Sequence, residues 1–359
     1  HPKFGLIFGS VMMLIMGPVF IFPRLATSTH EMAMMPLFSG IPAFVTYLVF
    51  FVIVLYFSIN PSKVIDKLGS ILAPLLIIFV ALLVFKGIFN PISTPTESQV
   101  ASPYGTGFTT AYNTMDAIGA MLFGGFWLAD LKRRGIMEPK EQSIGIIKIG
   151  LLAMVLLALL HGSVVYLGAS GGSELAGLSI GEIPVAITTK LFGSAGIIIF
   201  AFLLTLANLT TCVGIAATFA NYFKNATNGK LKYTHLVIAG IFVGFILSNV
   251  GLSKIVGLTV PWLFLIYPAL IVIILGTLVG PLHKTRGALV GGVIMALIVG
   301  AMDALQVAGF NITVIASIQK MLPFSASGFG WIIPTIIGII IGAIIYRPKK
   351  ALAGQDIGW

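Results

Sequence analysis

The chain has 359 residues, of which 58% are hydrophobic and 9% are charged, and its mean hydropathy is +1.06. Soluble domains carry about 25% charged residues, so this composition excludes a water-soluble globular protein. The formal net charge of +10 does not indicate a nucleic-acid partner, because the basic residues fall mainly in short loops between apolar segments, as they do in membrane proteins.

Ten apolar segments are long enough to cross a bilayer as helices. In chain order we predict them at residues 4–23, 41–59, 68–89, 110–130, 143–168, 191–223, 233–250, 258–280, 287–308 and 331–346. A transmembrane β-barrel would alternate apolar and polar residues, whereas the run from Ile197 to Leu204 is apolar throughout. The predicted fold class is therefore an all-α polytopic membrane protein, and the bilayer is its solvent.

The distribution of lysine and arginine predicts the orientation. Alternating the loops between two sides places fifteen of these residues on one side and five on the other. Because cytoplasmic loops carry the excess of basic residues, we expect the first side to be cytoplasmic. Both termini of this chain are then predicted to be cytoplasmic, in a cell membrane.

A short internal repeat suggests two-fold organisation. The segment Asn60–Ile65 precedes a span that contains Pro74, and the related segment Asn249–Val256 precedes one that contains Pro261. The two copies fall on opposite predicted sides, as an inverted-topology repeat requires. Because the spans at 110–130 and 143–168 then have no counterparts in the first half, we expect two further helices before His1.

The fourth span has a polar, glycine-rich beginning. Only 13 uncharged residues separate Asp116 from Asp130, about 20 Å of helix, which is less than the hydrocarbon core of about 30 Å. Asp116 should therefore lie within the membrane region, in a discontinuous helix. Such breaks expose backbone N–H and C=O groups that hold the charged ends of substrates and ions. The alternative is that Asp116 only caps a helix N-terminus.

The sixth span carries two adjacent hydroxyl residues, Thr210 and Thr211. Two hydroxyls at mid-membrane can coordinate a hard cation such as Na⁺. Alternatively, each threonine donates a hydrogen bond to the carbonyl four residues earlier. The single cysteine, Cys212, excludes an internal disulfide and a cysteine metal cluster, and no cofactor is predicted.

Several short segments together resemble the branched-chain amino acid transport system II carriers, the branched-chain amino acid:cation symporter family. They are Gly17-Pro18 through Pro23-Arg24 with Glu31, Thr114-Met115-Asp116-Ala117 with Gly119 and Gly124, Asn249 to Leu252, and Pro261 with Tyr267-Pro268. In order and spacing they cover essentially the whole chain.

The resemblance implies a leucine-transporter-type fold, with two inverted repeats of five helices and two appended helices, here without the first two. Residues 1–359 would form one transmembrane domain, with 1–89 the rest of the first repeat, 110–280 the second repeat, and 281–359 the two appended helices and a cytoplasmic tail. It also implies Na⁺-coupled uptake of leucine, isoleucine and valine.

The same resemblance implies a site. One sodium site of this fold is similar to a pattern of alanine, two residues, then two hydroxyl residues, which Ala207, Thr210 and Thr211 match. We expect the substrate site to involve Thr114, Met115, Asp116, Gly119, Phe123 and Phe20, with Phe20, Met115 and Phe123 as walls of an apolar pocket.

Other classes of function stay open at this stage. H⁺ could replace Na⁺ as the coupling ion, and the substrate could be another small neutral amino acid. A channel would differ by conducting far faster than a carrier. An intramembrane enzyme is disfavoured because the spans contain no paired acids and no Cys/His cluster, and a primary pump is disfavoured because there is no phosphate-binding G-x-x-x-x-G-K-[ST] loop. Oligomeric state is not encoded in any motif found here.

Overall fold

The computed structural model describes residues 2–59, 63–95, 97–98, 100–278 and 286–345. Throughout these residues the regular structure is helical, without a β-strand, which confirms the predicted all-α fold class. The α-helices are α1 (Pro2–Leu14), α2 (Ile21–Thr29), α3 (Met35–Leu37), α4 (Ala43–Ile59), α5 (Lys63–Phe89), α6 (Pro103–Ala111), α7 (Asp116–Arg133), α8 (Pro139–Gly171), α9 (Glu182–Ala226), α10 (Tyr233–Ser248), α11 (Leu252–Leu278), α12 (Arg286–Val307), α13 (Thr313–Met321) and α14 (Ile332–Ile345).

Nine of the ten predicted spans coincide with apolar helices of the described chain. Six helical stretches are long and apolar enough to cross a membrane: Phe4–Leu37, Ser70–Phe89, Pro139–Leu175, Glu182–Ala226, Leu252–Leu278 and Gly287–Val307. Three shorter apolar helices are Ala43–Ile59, Tyr233–Ser248 and Ile332–Ile345. The tenth prediction, 110–130, falls on the end of α6, a short turn and α7, so it is not one continuous helix.

The first span is longer than the predicted residues 4–23. A π-helical segment, Ile15–Val19, contains Gly17 in a non-helical conformation together with Pro18, whose missing N–H interrupts the hydrogen-bond ladder. A new helix starts at Ile21, so Pro23 lies in its first turn, where proline does no damage. Helical structure therefore continues, through a second π-helical segment at His30–Met34, as far as Leu37.

The contacts divide the chain into two compact units, one of His1–Glu97 with Ile118–Val256 and one of Ser98–Ala117 with Gly257–Trp359. In the first unit, α2, α4, α9 and α10 enclose an apolar core that includes Phe22, Phe51, Cys212 and Ile241. A second core joins α5, α8 and α9 through Leu72, Phe79, Leu167 and Leu191. Helix α9 is interrupted at Gly193 (φ 62°, ψ −154°), a conformation that only glycine adopts readily.

In the second unit, α12 and α14 pack closely through glycines. A Cβ built on Gly291 would overlap the carbonyl of Gly338, and one built on Gly342 would overlap the carbonyl of Gly287. Each helix thus presents glycines four residues apart, a spacing that lets membrane helices approach backbone to backbone.

The inverted-repeat arrangement and the division at residues 89, 110 and 281 stay predictions. Asn60, Pro61 and Ser62 of the first repeat segment lie outside the described residues, as do residues 279–285 and the tail from 346 onward.

Candidate functional site

The predicted discontinuous helix is broken between α6 and α7. After α6 ends at Ala111, one 3₁₀ turn covers Tyr112–Thr114, and Met115 then adopts a left-handed conformation (φ 58°, ψ 15°) before α7 begins at Asp116. A left-handed non-glycine residue costs about 1–2 kcal/mol. The Met115 side chain is nevertheless held there, because it is 1% exposed. The first N–H groups of α7 have no partner four residues earlier, as at any helix start.

The two polar side chains of this break differ in their contacts. One is hydrogen-bonded to the backbone and the other is exposed. The Thr114 hydroxyl donates to the Ala111 carbonyl at 2.9 Å, and the Asp116 N–H makes a longer contact of 3.5 Å to Thr114 Oγ1. Asp116 is exposed as the first residue of α7, and its carboxylate lies near Tyr267. Asp116 therefore occupies the position of a helix-capping acid while leaving its side chain accessible.

Gly119 and Phe123 come together one turn into α7. A Cβ built on Gly119 would be 3.6 Å from Met16 Cε and 3.8 Å from Phe123 Cδ2. Phe123 also packs against the core that contains Phe22. Because glycine leaves room for both neighbours, this point of the first unit has an apolar lining. Met16 was not singled out from the sequence, since a methionine within an apolar span carries no distinguishing signal.

Phe20 is buried directly after the first π-helical segment, where the chain bends into α2. The six predicted substrate residues are thus divided between the units: Thr114, Met115 and Asp116 belong to the second, and Phe20, Gly119 and Phe123 belong to the first.

The three predicted sodium ligands lie within one turn of α9. The Thr210 hydroxyl donates to the carbonyls of Leu206 and Ala207, both at 3.0 Å. This is the back-bonded alternative recognised from the sequence. A hydroxyl that donates in this way keeps its oxygen lone pairs, so the geometry is compatible with a cation ligand as well. Thr211 is exposed on the same helix.

Asn208, which lies between Ala207 and Thr210, contacts three hydrogen-bond acceptors of another helix. Its amide Nδ2 is 3.0 Å from Ser28 Oγ, 3.0 Å from Thr29 Oγ1 and 3.2 Å from the Leu25 carbonyl. Both hydroxyls in turn donate to the Leu25 carbonyl. Asn208 therefore joins α9 to the end of α2. The only sequence signal for this role is an amide in the middle of an apolar span.

Comparison with known proteins agrees with this architecture. A family described as "Branched-chain amino acid transport protein" matches residues 1–349. The chain is 32% identical to the branched-chain amino acid permease BraB of Bacillus subtilis, covering 98% of this chain and 82% of that protein.

Two further relatives are similar over comparable lengths. The branched-chain amino acid permease BrnQ of Escherichia coli K12 is 32% identical over 95% of this chain and 78% of its own. The branched-chain amino acid transport system 3 carrier protein of Pseudomonas aeruginosa is 33% identical, over 96% and 79%. The chain therefore belongs to the branched-chain amino acid transport protein family, as a multi-pass membrane transporter and not an enzyme.

Proposed function

We propose that this protein carries leucine, isoleucine and valine into the cell by Na⁺-coupled symport with alternating access. The observation that carries the proposal is the break at Tyr112–Met115 in a chain of this family. Broken helices in transporters present backbone groups to the charged ends of a substrate near the middle of the membrane. A zwitterionic amino acid has two such ends, so the backbone around Thr114, Met115 and Asp116 is the proposed site for them.

The side chain of the substrate would occupy an apolar pocket. Gly119 and Phe123, which lie beside Met16, are the residues that we propose for its lining, and Phe20 is the further wall residue that we propose. An apolar pocket suits a branched aliphatic group, but one methylene changes binding by only about 1–3 kcal/mol. We therefore expect the three branched-chain amino acids to compete with one another.

The proposed sodium ligands are Ala207 through its carbonyl and Thr210 and Thr211 through their hydroxyls. Oxygen ligands of this kind suit a hard cation. They lie on α9 beside Asn208, which contacts α2. Ion binding at this position would therefore be coupled to the packing of α9 on α2.

We further propose that the helices form an inverted repeat and that both termini of this chain are cytoplasmic, as the sequence predicts. Residues 1–89 and 110–280 are the two repeat portions, and 281–359 comprise the appended helices and tail. In an inverted repeat, alternating access arises when one set of helices rocks against the other around a fixed site.

The competing proposal is an H⁺-coupled carrier for other small neutral amino acids, and a channel is the more distant one. Uptake measurements separate the three. The protein, expressed from its complete reading frame, is reconstituted into liposomes, and labelled leucine uptake is followed with an inward Na⁺ gradient, with an inward H⁺ gradient, and with neither.

Saturable uptake that requires the Na⁺ gradient and that isoleucine and valine inhibit would support the proposal. Uptake driven by the H⁺ gradient alone would replace Na⁺ by H⁺. Inhibition by alanine but not by isoleucine would overturn the substrate assignment. Non-saturating currents in planar bilayers, at rates beyond a carrier, would identify a channel. Liposomes without protein provide the background.

A further inference from the structure

Helix α13, which connects α12 to α14, has an exposed apolar face. Its sequence places Val314, Ile318 and Met321 at intervals of four and three residues, which is the spacing of one face of a helix. In the structure these three side chains are 68%, 44% and 82% exposed. Ser317 is also exposed on this face, but its hydroxyl donates to the Thr313 carbonyl at 2.9 Å. The face therefore offers apolar contact and few free polar groups.

The opposite face of α13 is held against the protein. Gln319 is 4% exposed, and its amide Nε2 donates to Asp303 Oδ1 of α12 at 2.6 Å. Ile315 and Ala316 lie on the same side and are half-buried. Because successive helical residues are rotated by about 100°, Gln319 and the apolar face point in nearly opposite directions. The bond to Asp303 thus fixes the rotation of α13 and directs its apolar face outward.

Exposed apolar residues also fill the connection between α12 and α13. Helix α12 belongs to a stretch, Gly287–Val307, that is long and apolar enough to cross a membrane. Four exposed apolar side chains lead from its end to α13: Leu305, Val307, Phe310 and Ile312. Contiguous exposed apolar surface of this kind marks contact with a membrane or a protein. The apolar face of α13 therefore continues the surface that α12 presents to lipid.

The charge of this region fits a lipid headgroup layer. Lys320 is the only charged residue of the sequence between positions 304 and 345. It is exposed in the last turn of α13, at the edge of the apolar face and not within it. A lysine in this position can leave its methylene groups among apolar neighbours while its ammonium group reaches the phosphates.

The small size of the face argues against a protein partner. Stable protein interfaces take about 20–30 residues from each partner, whereas Val314, Ile318 and Met321 form a single row of three. A row of this length, with one lysine at its edge, is sufficient for a helix that lies in a membrane surface, because the bilayer contacts the neighbouring spans as well.

We propose that α13 is an interfacial helix, which inserts Val314, Ile318 and Met321 into the phospholipid bilayer with Lys320 at the level of the phosphates. Helices of this kind lie about 5–10 Å into the boundary between headgroups and acyl chains. Because Gln319 is hydrogen-bonded to Asp303, this lipid contact also holds the end of α12 at a fixed depth. The surface lies apart from the residues proposed for substrate and sodium, so the proposal does not depend on the proposed function.

Spin labels on single cysteines test the proposal in the complete protein, reconstituted into phosphatidylcholine vesicles. Cys212, which is buried, is replaced by alanine, and the label is attached to Val314→Cys or Ile318→Cys. Ile298→Cys, at an exposed position in the middle of α12, is the lipid reference, and Lys320→Cys is the matched control on α13. We expect the labels at 314 and 318 to be relaxed by oxygen, as at 298, and to be shielded several-fold from a water-soluble nickel complex relative to 320.

Three results of this experiment would overturn the proposal. Equal access of the nickel complex to labels at Ile318 and Lys320 would place the apolar face in water. Shielding of Ile318 from both oxygen and nickel would place protein against it. Dipolar broadening at Ile318 that disappears on dilution with unlabelled protein would identify a second copy of the chain as the partner.

A second measurement needs no substitution. The parent protein is irradiated in vesicles that contain a phospholipid with a diazirine close to its headgroup, and the adducts are located by mass spectrometry. We expect adducts on Val314, Ile318 or Met321, whereas a diazirine at the end of the acyl chain should label Ile298 instead. If the second probe labels Ile298 and the first gives no adduct on α13, the proposal is wrong, even where the cysteine variants do not fold. Neither measurement requires uptake, so its failure is distinguishable from failure of the proposed function.

Discussion

The Glu31 carboxylate accepts a hydrogen bond from the backbone N–H of Leu252, with 2.9 Å between Glu31 Oε1 and Leu252 N. Leu252 is the first residue of α11, so Glu31 acts as a cap supplied by a distant helix. Glu31 also lies against Gly181, directly before α9, where an added Cβ would be 2.8 Å from Glu31 Oε2. The carboxylate therefore faces the starts of two helices, where the backbone favours negative charge.

Removing this charge should destabilise the first unit. We expect Glu31→Gln to lower the free energy of unfolding by about 1 kcal/mol, the typical value of a helix cap, seen as a lower midpoint of thermal unfolding in detergent. Glu138 is the matched control, because it also precedes a helix, α8, but forms no side-chain cap bond. Equal shifts for Glu31→Gln and Glu138→Gln would contradict the assigned role.

The amide of Asn208 should stabilise the packing of α9 on α2. Replacing it by alanine removes contacts to Ser28 Oγ and Thr29 Oγ1, and interhelical hydrogen bonds of this kind contribute about 0.6–2 kcal/mol in membranes. We therefore expect Asn208→Ala to lower thermal stability and uptake together. Asn249 is the control, since its amide donates locally, to the carbonyls of Phe245 and Ile246 in the helix that it ends, and Asn249→Ala should change neither quantity appreciably.

The sequence was informative wherever the signal is local. Hydropathy located nine of the ten spans, because crossing a bilayer requires a continuous apolar stretch. The polar residues from Tyr112 to Asp116 predicted the helix break, because a polar stretch inside an apolar span is also a local feature of the sequence. The first span continues beyond the predicted residue 23, because the helix restarts after the kink at Gly17 and Pro18 and Pro23 lies in the first turn of the new helix.

Contacts between distant residues could not be predicted in this way. Asn208 lies about 180 positions from Ser28 and Thr29, and Glu31 lies 221 positions from Leu252. Nothing in the local sequence selects such partners, because any apolar helix offers several faces. The hydrogen bond from Gln319 to Asp303 is a further example, since the two residues lie on separate helices, α13 and α12.

The proposed sodium site distinguishes between two threonines of α9. Thr205 and Thr210 both donate their hydroxyls to the carbonyl four residues earlier, at 2.7 Å and 3.0 Å, so valine at either position removes the same kind of local bond. Only Thr210 is a proposed ligand. We expect Thr210→Val to raise the Na⁺ concentration for half-maximal uptake about tenfold or more, in the range found for changes around metal sites. Thr205→Val should leave it unchanged.

If both variants need the same Na⁺ concentration as the parent, Thr210 is not a sodium ligand. If uptake does not depend on Na⁺ in any of the three proteins, the ion assignment itself is wrong. Measuring the dependence on Na⁺ rather than the maximal rate keeps a loss of folded protein from imitating a loss of affinity.

The glycine contact between α12 and α14 should tolerate no added methyl group. In Gly291→Ala the new Cβ would overlap the Gly338 carbonyl, and overpacking costs about 1–3 kcal/mol. Gly257 on α11 is the control, because among the described residues no atom beyond its own stretch of helix lies within 4 Å of its Cβ position. There, alanine should stabilise the helix by about 0.5–1 kcal/mol. Thermal unfolding should therefore shift in opposite directions for the two variants, and a shift of the same sign would contradict the close approach.

Alanine variants are usually more stable than glycine variants at helix positions. The left-handed conformation of Met115 predicts the opposite order of stability at this residue. Both substitutions remove the buried side chain, but only glycine relieves the backbone strain at φ 58°, worth about 1–2 kcal/mol. Met115→Gly should thus be more stable than Met115→Ala. At Met121, an exposed residue within α7, glycine should be less stable than alanine by about 0.5–1 kcal/mol.

Thermal unfolding of the four variants checks this reversal, and leucine uptake shows whether the break needs the methionine itself. Because glycine preserves the backbone turn and lacks the side chain, Met115→Gly should keep the fold while weakening substrate binding, if Met115 forms a wall of the pocket. The same order of alanine and glycine at both positions would mean that Met115 is not left-handed in the membrane. Normal uptake by Met115→Gly would leave the turn in place and remove Met115 from the substrate site.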